Sequence, residues 1–308
     1  MPWNEFVHPL LILAPEKTGG TLLCAMLGQH PEMYGLMETR LFTRNEMYEW
    51  LHDFAHGNAA DGLLRTVAEV IFGDQSGKSI GLARNWVRER ANRSTVDVFS
   101  ELVAFVHPLL VVERTPMIVY RSEHLHRVRR QFHEMKFLHL VVHPACHARR
   151  IVACFEQQCS VRPTRTYRAL DDPESIFFRL VEPREGTPAY ASHAPWLRTH
   201  TSIAKFLAKI PAERQMRMRI EDLLAQPRSL METVARWLGL RTDEEAVESM
   251  LCPEQWPFAS SGPRIAPSGG DLQFLANPHL LSGPDCEGEA VSLPLEAVEL
   301  AQSFGYSA

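Results

Sequence analysis

The sequence predicts an α/β protein, a three-layer α/β/α domain around a central parallel sheet. Three observations predict it. Short apolar runs recur at Phe6–Leu13, Leu109–Val112 and Phe137–Val142, each brief enough for a strand and each stopped by a proline or a polar cluster. Stretches with helical apolar spacing lie between them, the alternation that gives parallel strands covered on both faces. The chain has 308 residues, 45% of them hydrophobic, enough for one large domain of this kind.

The elements follow in order. Phe6–Leu13 (FVHPLLIL) reads as the first strand, stopped at Pro15. Glu16-Lys17-Thr18-Gly19-Gly20 is a glycine turn, and Thr21–Gln29 a helix broken at His30-Pro31. Residues 45–105 are helix-like, with amphipathic stretches at Gly62–Phe72 and Ser94–Phe105. Leu109–Val112 is a second strand, ending in Glu113-Arg114-Thr115-Pro116. His124–Glu134 reads as a helix, Phe137–Val142 as a third strand and Ala145–Gln158 as the helix after it. Residues 160–195, rich in Arg, Pro and acids, read as an insertion or flap. Trp196–Ile210 is a helix, Gln215–Ile220 an alternating fourth strand, Arg228–Leu238 a helix closed by Gly239, and Leu295–Phe304 the last helix. Residues 1–308 thus read as a single domain, with a helical insertion at 45–105 and a flap at 160–195 that are expected to shape a ligand pocket. In parallel sheets ligands bind beyond the carboxyl ends of the strands, where Lys17–Thr21, Glu113–Pro116, His143-Pro144 and Glu221-Asp222 all fall.

A net charge of −5 argues against a nucleic-acid coat protein but leaves room for a local basic pocket. The first apolar run lacks a basic leader and falls below the ~20 residues of a membrane span. The expectation is a cytoplasmic protein with no membrane span. None of the six cysteines forms a C-x-x-C pair, so reduced, mostly buried thiols are expected. His143, Cys146, His147, Cys154 and Cys159 cluster in sequence, but strand and helix geometry faces them in different directions, so no metal is expected.

The glycine turn is compared with the Walker A pattern G-x-x-x-x-G-K-[ST]. Here it reads A-P-E-K-T-G-G-T, with Gly19 and Thr21 in place, Ala14 for the first glycine, Gly20 at the lysine position and Lys17 displaced upstream. A phosphate cradle survives. Gly19 and Gly20 allow close backbone approach, the helix start presents amides, Thr18 and Thr21 carry hydroxyls, and Lys17 supplies a point charge. The changed lysine suits a nucleotide 5′-phosphate better than ATP hydrolysis.

Glu16-Lys17-Thr18-Gly19-Gly20-Thr21-Leu22-Leu23 resembles the P-R-S-G-[ST]-T-L-L loop of sulfotransferases that use 3′-phosphoadenosine 5′-phosphosulfate (PAPS). Further similarities run in order along nearly the whole chain. They are His30-Pro31, Glu38 in METRLF, Glu113-Arg114-Thr115-Pro116 against [DE]-K-T-P, and FLHLVVHP against F-I-H-L-[IV]-R-[DH]-P. WLRTHTSIAKFL, then RMRIEDLLAQP, GGDLQFL and LAQSFGY continue the series. The nearest branch is that of bacterial sulfotransferases of polyketide and nonribosomal-peptide assembly, with a P-loop NTPase-like fold.

The resemblance implies sulfonate transfer from PAPS, without a metal, to a hydroxyl of a small-molecule acceptor, carrier-bound acceptors included. It implies that Lys17, Thr18, Gly19, Gly20, Thr21 and Leu22 hold the 5′-phosphosulfate, and that Lys17 stabilises the leaving oxygen. His200, in W-x-x-x-H, and Glu38 are the two candidates for the base, and Glu38 alternatively orients His200 or a cation. Arg114, in place of the family's lysine, keeps a charge on the substrate side. The family's 3′-phosphate arginine and serine are Val142 and Arg150 here, so Arg149 and Arg150 are the expected replacements. Val142 keeps two alternatives open: a non-catalytic binding protein of the same fold, or an enzyme using another phosphorylated donor. The resemblance leaves the oligomeric state open.

Overall fold

In the computed structural model, residues 8–161, 194–279 and 293–307 are described. The expected flap at residues 160–195 lies almost wholly outside them, as does the start of the first apolar run.

Five strands form one sheet: β1 (Leu10–Leu13), β2 (Met33–Gly35), β3 (Leu110–Glu113), β4 (Lys136–Val141) and β5 (Gln215–Arg219), in the spatial order β2-β3-β1-β4-β5. Every pairing is parallel, and the register sets Leu10 beside both Val112 and Lys136, and Val141 beside Arg219. β2 is an addition to the four strands expected. All five carboxyl ends therefore reach one edge, where the connecting loops collect.

Strand alternation explains the three layers. On β1, Leu10 and Ile12 join one buried cluster, which contains α1 (Gly20–Leu27) and Trp196. Leu11 and Leu13 join the other, which contains residues of the helices α2 (Met47–Phe54), α3 (Asp61–Phe72), α4 (Gly77–Glu89), α5 (Thr95–Val106) and α6 (Ser122–Gln131). Each such side chain contributes ~1.5–3 kcal/mol when removed from water. α7 (Pro144–Val161) follows β4, and α8 (Ala194–Leu207) precedes β5. Gly239, at φ 79°, closes the helix Pro227–Leu238, as the sequence implied.

The long helix α3 anchors the chain's later part to the sheet edge. Its buried Asp61 accepts from the backbone N–H and the hydroxyl of Ser268, at 3.0 and 2.9 Å. Arg65 donates to the carbonyls of Ser260 and Ser268. The strap 260–271 is thereby held across the ends of β1 and β2. Cys24 and Cys252 are free thiols, whereas Cys146 is disulfide-bonded, which corrects the expectation of reduced cysteines.

Candidate active site

The loop after β1 turns through two left-handed residues, Lys17 (φ 62°) and Gly19 (φ 93°). A Cβ at Gly19 would meet the Ile220 side chain at 2.7 Å, and one at Gly20 would meet Arg114 Nε at 2.7 Å. Gly19 is thus called for by the left-handed turn, and a side chain at either glycine would displace Ile220 or Arg114. α1 starts with no side-chain cap on its amides and no acid in its first turn, leaving its positive end to a ligand. The Thr18 hydroxyl donates to the Pro15 carbonyl inside the loop, and the Leu22 side chain is buried in the core.

Four of the expected residues converge here. Arg114, at the end of β3, is buried and pairs with Glu38, from the segment after β2; its Nη1 also donates to Thr21 Oγ1 at 3.2 Å. Lys17 Nζ sits 2.9 Å from Asp271 Oδ1, and the Asp271 backbone N–H donates to Thr21 Oγ1 at 3.1 Å. Thr21 thus joins both ion pairs. Arg114 Nε is buried with no hydrogen-bond partner. Glu38 is positioned by its backbone, which donates to Gly269 at 2.9 Å and abuts Gly62 so tightly that a Cβ there would lie 2.1 Å from the Glu38 carbonyl oxygen. Burial raises the Glu38 carboxyl above its ordinary range, and Arg114 opposes the rise. Beside it Glu113 accepts from Thr39 and Thr115, and burial pushes it up to about 7.

A glycine loop, an uncapped helix start and paired cations at the carboxyl edge of a parallel sheet make a site for an anion. The profile of the Sulfotransferase family matches residues 9–244. The chain belongs to the sulfotransferase family. Its fold is similar to that of the sulfotransferase domain from the curacin biosynthetic pathway, at 22% identity and a TM-score of 0.77, covering 97% of this chain and 98% of that one. It is also similar to the sulfotransferase domain of the Synechococcus PCC 7002 olefin synthase, at 21% identity and a TM-score of 0.72, covering 100% and 98%. No curated protein matches the chain in sequence.

The remaining sulfotransferase candidates are placed differently. His200, on α8, is fully buried against Trp196 one turn earlier and against Phe304. Its Nδ1 lies 2.8 Å from Nε2 of His139 on β4, so His139 orients it and Glu38 does not. Burial holds His200 well below the ordinary histidine range and His139 down to about 3, so both rings are neutral at neutral pH. Arg149 and Arg150 diverge. Arg150 Nη1 donates to the Lys17 carbonyl at 3.3 Å, while Arg149 lines an open cleft of 450 Å³ with His143, Arg219, Glu221 and Tyr306. Val142 is buried, its carbonyl accepting from Trp196 Nε1 at 2.8 Å. Among the described residues no group of three His, Cys, Asp or Glu is arranged to hold a metal, and no helix is long and apolar enough to cross a membrane.

Sequence reasoning did not assign roles to Asp271, Gly62 or His139. Asp271 was visible in GGDLQFL. His139 gave a signal too, a histidine inside a buried strand run. Gly62 gave none, because close approach of two distant backbones leaves no local pattern.

Proposed function

We propose that this sulfotransferase moves the sulfonate group of PAPS to a hydroxyl of a small molecule, free or carrier-bound. The observation that carries the reading is the convergence of Lys17, Thr21, Arg114 and Glu38 around the uncapped start of α1. The residues fit the 5′ side of such a donor. Amides and Lys17 face an anion, and the buried, unpartnered Arg114 Nε offers a further donor. PAPS, when bound, supplies the sulfonate and a nucleotide leaving group. Lys17 with the loop amides stabilises charge on the leaving side, and Glu38, held by Arg114, accepts the hydroxyl proton. Arg150 is the residue best placed to add charge from α7, since it already touches the loop.

Val142 supports a second reading. It offers only an apolar side chain where the family carries its 3′-phosphate arginine, so a donor without that phosphate, or a binding protein without turnover, fits the same loop. Calorimetry with 3′-phosphoadenosine 5′-phosphate separates the two. Micromolar binding that Lys17→Ala weakens, together with a loss of about 100-fold in turnover in that variant, is expected for the first. Absence of binding to the wild-type chain overturns it.

A further inference from the structure

The buried histidines carry a proton pattern that the hydrogen bonds at their two ends dictate. At one end stands Arg217 on β5, whose guanidinium can only donate. Its Nε lies 3.4 Å from Nδ1 of His139 within hydrogen-bonding geometry, so that nitrogen is the acceptor and the His139 proton sits on Nε2. The opposite tautomer would set two N–H groups against each other. His139 Nε2–H therefore donates across 2.8 Å to Nδ1 of His200, which leaves the His200 proton on Nε2. At the other end stands the carbonyl of Glu16 in the anion loop, which can only accept. His147 Nε2 lies 2.9 Å from it, so His147 also carries its proton on Nε2, and its Nδ1 is a bare lone pair.

Two buried ring nitrogens are left without partners: Nε2 of His200 and Nδ1 of His147. The first is a donor and the second an acceptor, and the two rings interact electrostatically. We propose that Arg217, His139 and His200 form a directed hydrogen-bond relay whose last member offers its buried Nε2–H to one O–H group. In it His200 is a hydrogen-bond donor and positioning residue, not the acceptor of the substrate proton. An O–H group, from a water or a bound hydroxyl, accepts from that Nε2–H and satisfies the buried donor. The groups bearing on His200 are His139, His147 and Arg217; all oppose a positive charge on the ring, and burial does so most. The relay therefore stays neutral across the working pH range.

The part that concerns catalysis rests on the transferase reading; the proton positions do not. The test is the full-length chain with ¹⁵N-labelled histidine, read by long-range proton–nitrogen correlation from pH 5 to 9. The expected result is an acceptor-type Nδ1 and a protonated Nε2 on all three rings, with no titration. A proton on Nδ1 of His200, or an imidazolium there at pH 7, overturns the proposal. Arg217→Leu is expected to mix the tautomers of His139 and His200 while His147 holds its own; Arg217→Lys, which keeps a cationic donor, is expected to restore the single pattern. His200 unchanged in folded Arg217→Leu would remove Arg217 as the lock and overturn the relay.

An exchange-relayed water signal at the His200 Nε2 proton, in the absence of any acceptor molecule, identifies water as the bridge; a signal that appears only with an added hydroxylated acceptor identifies substrate. Absence of both overturns the O–H partner assigned to His200. In turnover, His200→Ala is expected to lose about 100-fold and His200→Gln, which retains an N–H donor, to recover at least tenfold of it. Equal losses in both variants would restore His200 as the base. A chain that transfers no sulfonate would sink the proposed function and leave the nitrogen spectra to decide the relay.

Discussion

The loop cluster and the histidine stack are both buried polar groups at the same edge of the sheet, and they solve burial in opposite ways. Around the loop, Lys17 meets Asp271 and Arg114 meets Glu38, so charge is kept and matched. In the stack, His139 and His200 meet each other and two aromatic rings, and burial removes their charge. Low dielectric permits either a paired ion or a neutral hydrogen-bonded group, and little else. The difference tells the two regions' chemistry apart. Only the loop cluster holds charge ready to answer charge developing on a donor or acceptor, while the stack supplies fixed dipoles.

The strongest way to break this comparison is Glu38→Gln. If Glu38 is the proton acceptor, kcat falls by roughly 10²–10⁴-fold while the fold persists, because the amide keeps the contact to Arg114. The wild-type rate is expected to rise with pH through a value above the ordinary carboxylate range, as burial dictates, and that limb is expected to vanish in the variant. A retained limb would move the base elsewhere.

Glu113 sharpens the contrast, since it is a carboxylate of the charged region that is held by hydroxyls rather than by a cation. It should keep its proton further up the pH scale than an ordinary carboxyl does. Its folded value of about 7 lies above the ordinary 4.5. The folded state thus binds the proton more tightly than the unfolded state does. This contribution is fully present below about pH 4.5 and is lost as pH rises through about 7, an effect of roughly 3 kcal/mol by linkage. Urea unfolding of wild type and Glu113→Gln at pH 5 and pH 8 checks it. The wild type is expected to lose more stability between the two than the variant, and equal losses would show Glu113 to be ionised throughout.

The smallest effect is expected of Asp271→Asn. Removing this carboxylate from Lys17 leaves the ammonium more charge to offer a ligand. Inorganic sulfate and 3′-phosphoadenosine 5′-phosphate are then expected to bind a few-fold tighter at low salt, with the gain shrinking as salt screens it. Calorimetry at two ionic strengths measures this. Weaker binding would instead make Asp271 a part that the bound state needs.

Much of the frame could be read from local pattern. β1, β3 and β4 announce themselves because a strand buried on both faces must be apolar almost throughout, β5 because a half-buried strand alternates, and His-Pro or Thr-Pro ends three of these segments or their helices. β2 escaped because Met33–Gly35 is three residues long, too short to show a period. The loop was legible in its own residues as an anion cradle, and Glu38 only through an ordered series of motifs. Their partners were not legible, since Arg114 lies 76 residues from Glu38 and Asp271 lies 254 from Lys17, and nothing in a linear chain records which carboxylate will meet which cation. For His200 the type of residue was visible and its surroundings were not. A histidine looks the same in sequence whether water or indole surrounds it, and that surrounding decides its charge.

One helix ties the two ion pairs of the loop cluster together. The first turn of α3 presses on the backbone of Glu38 through Gly62, and the same turn grips Ser268 through Asp61, three residues before the carboxylate that meets Lys17. A displacement of that helix reaches both ion pairs together. Remodelling the helical block would therefore also shift the groups around the anion loop, so that the two ion pairs are inherited as one mechanical unit.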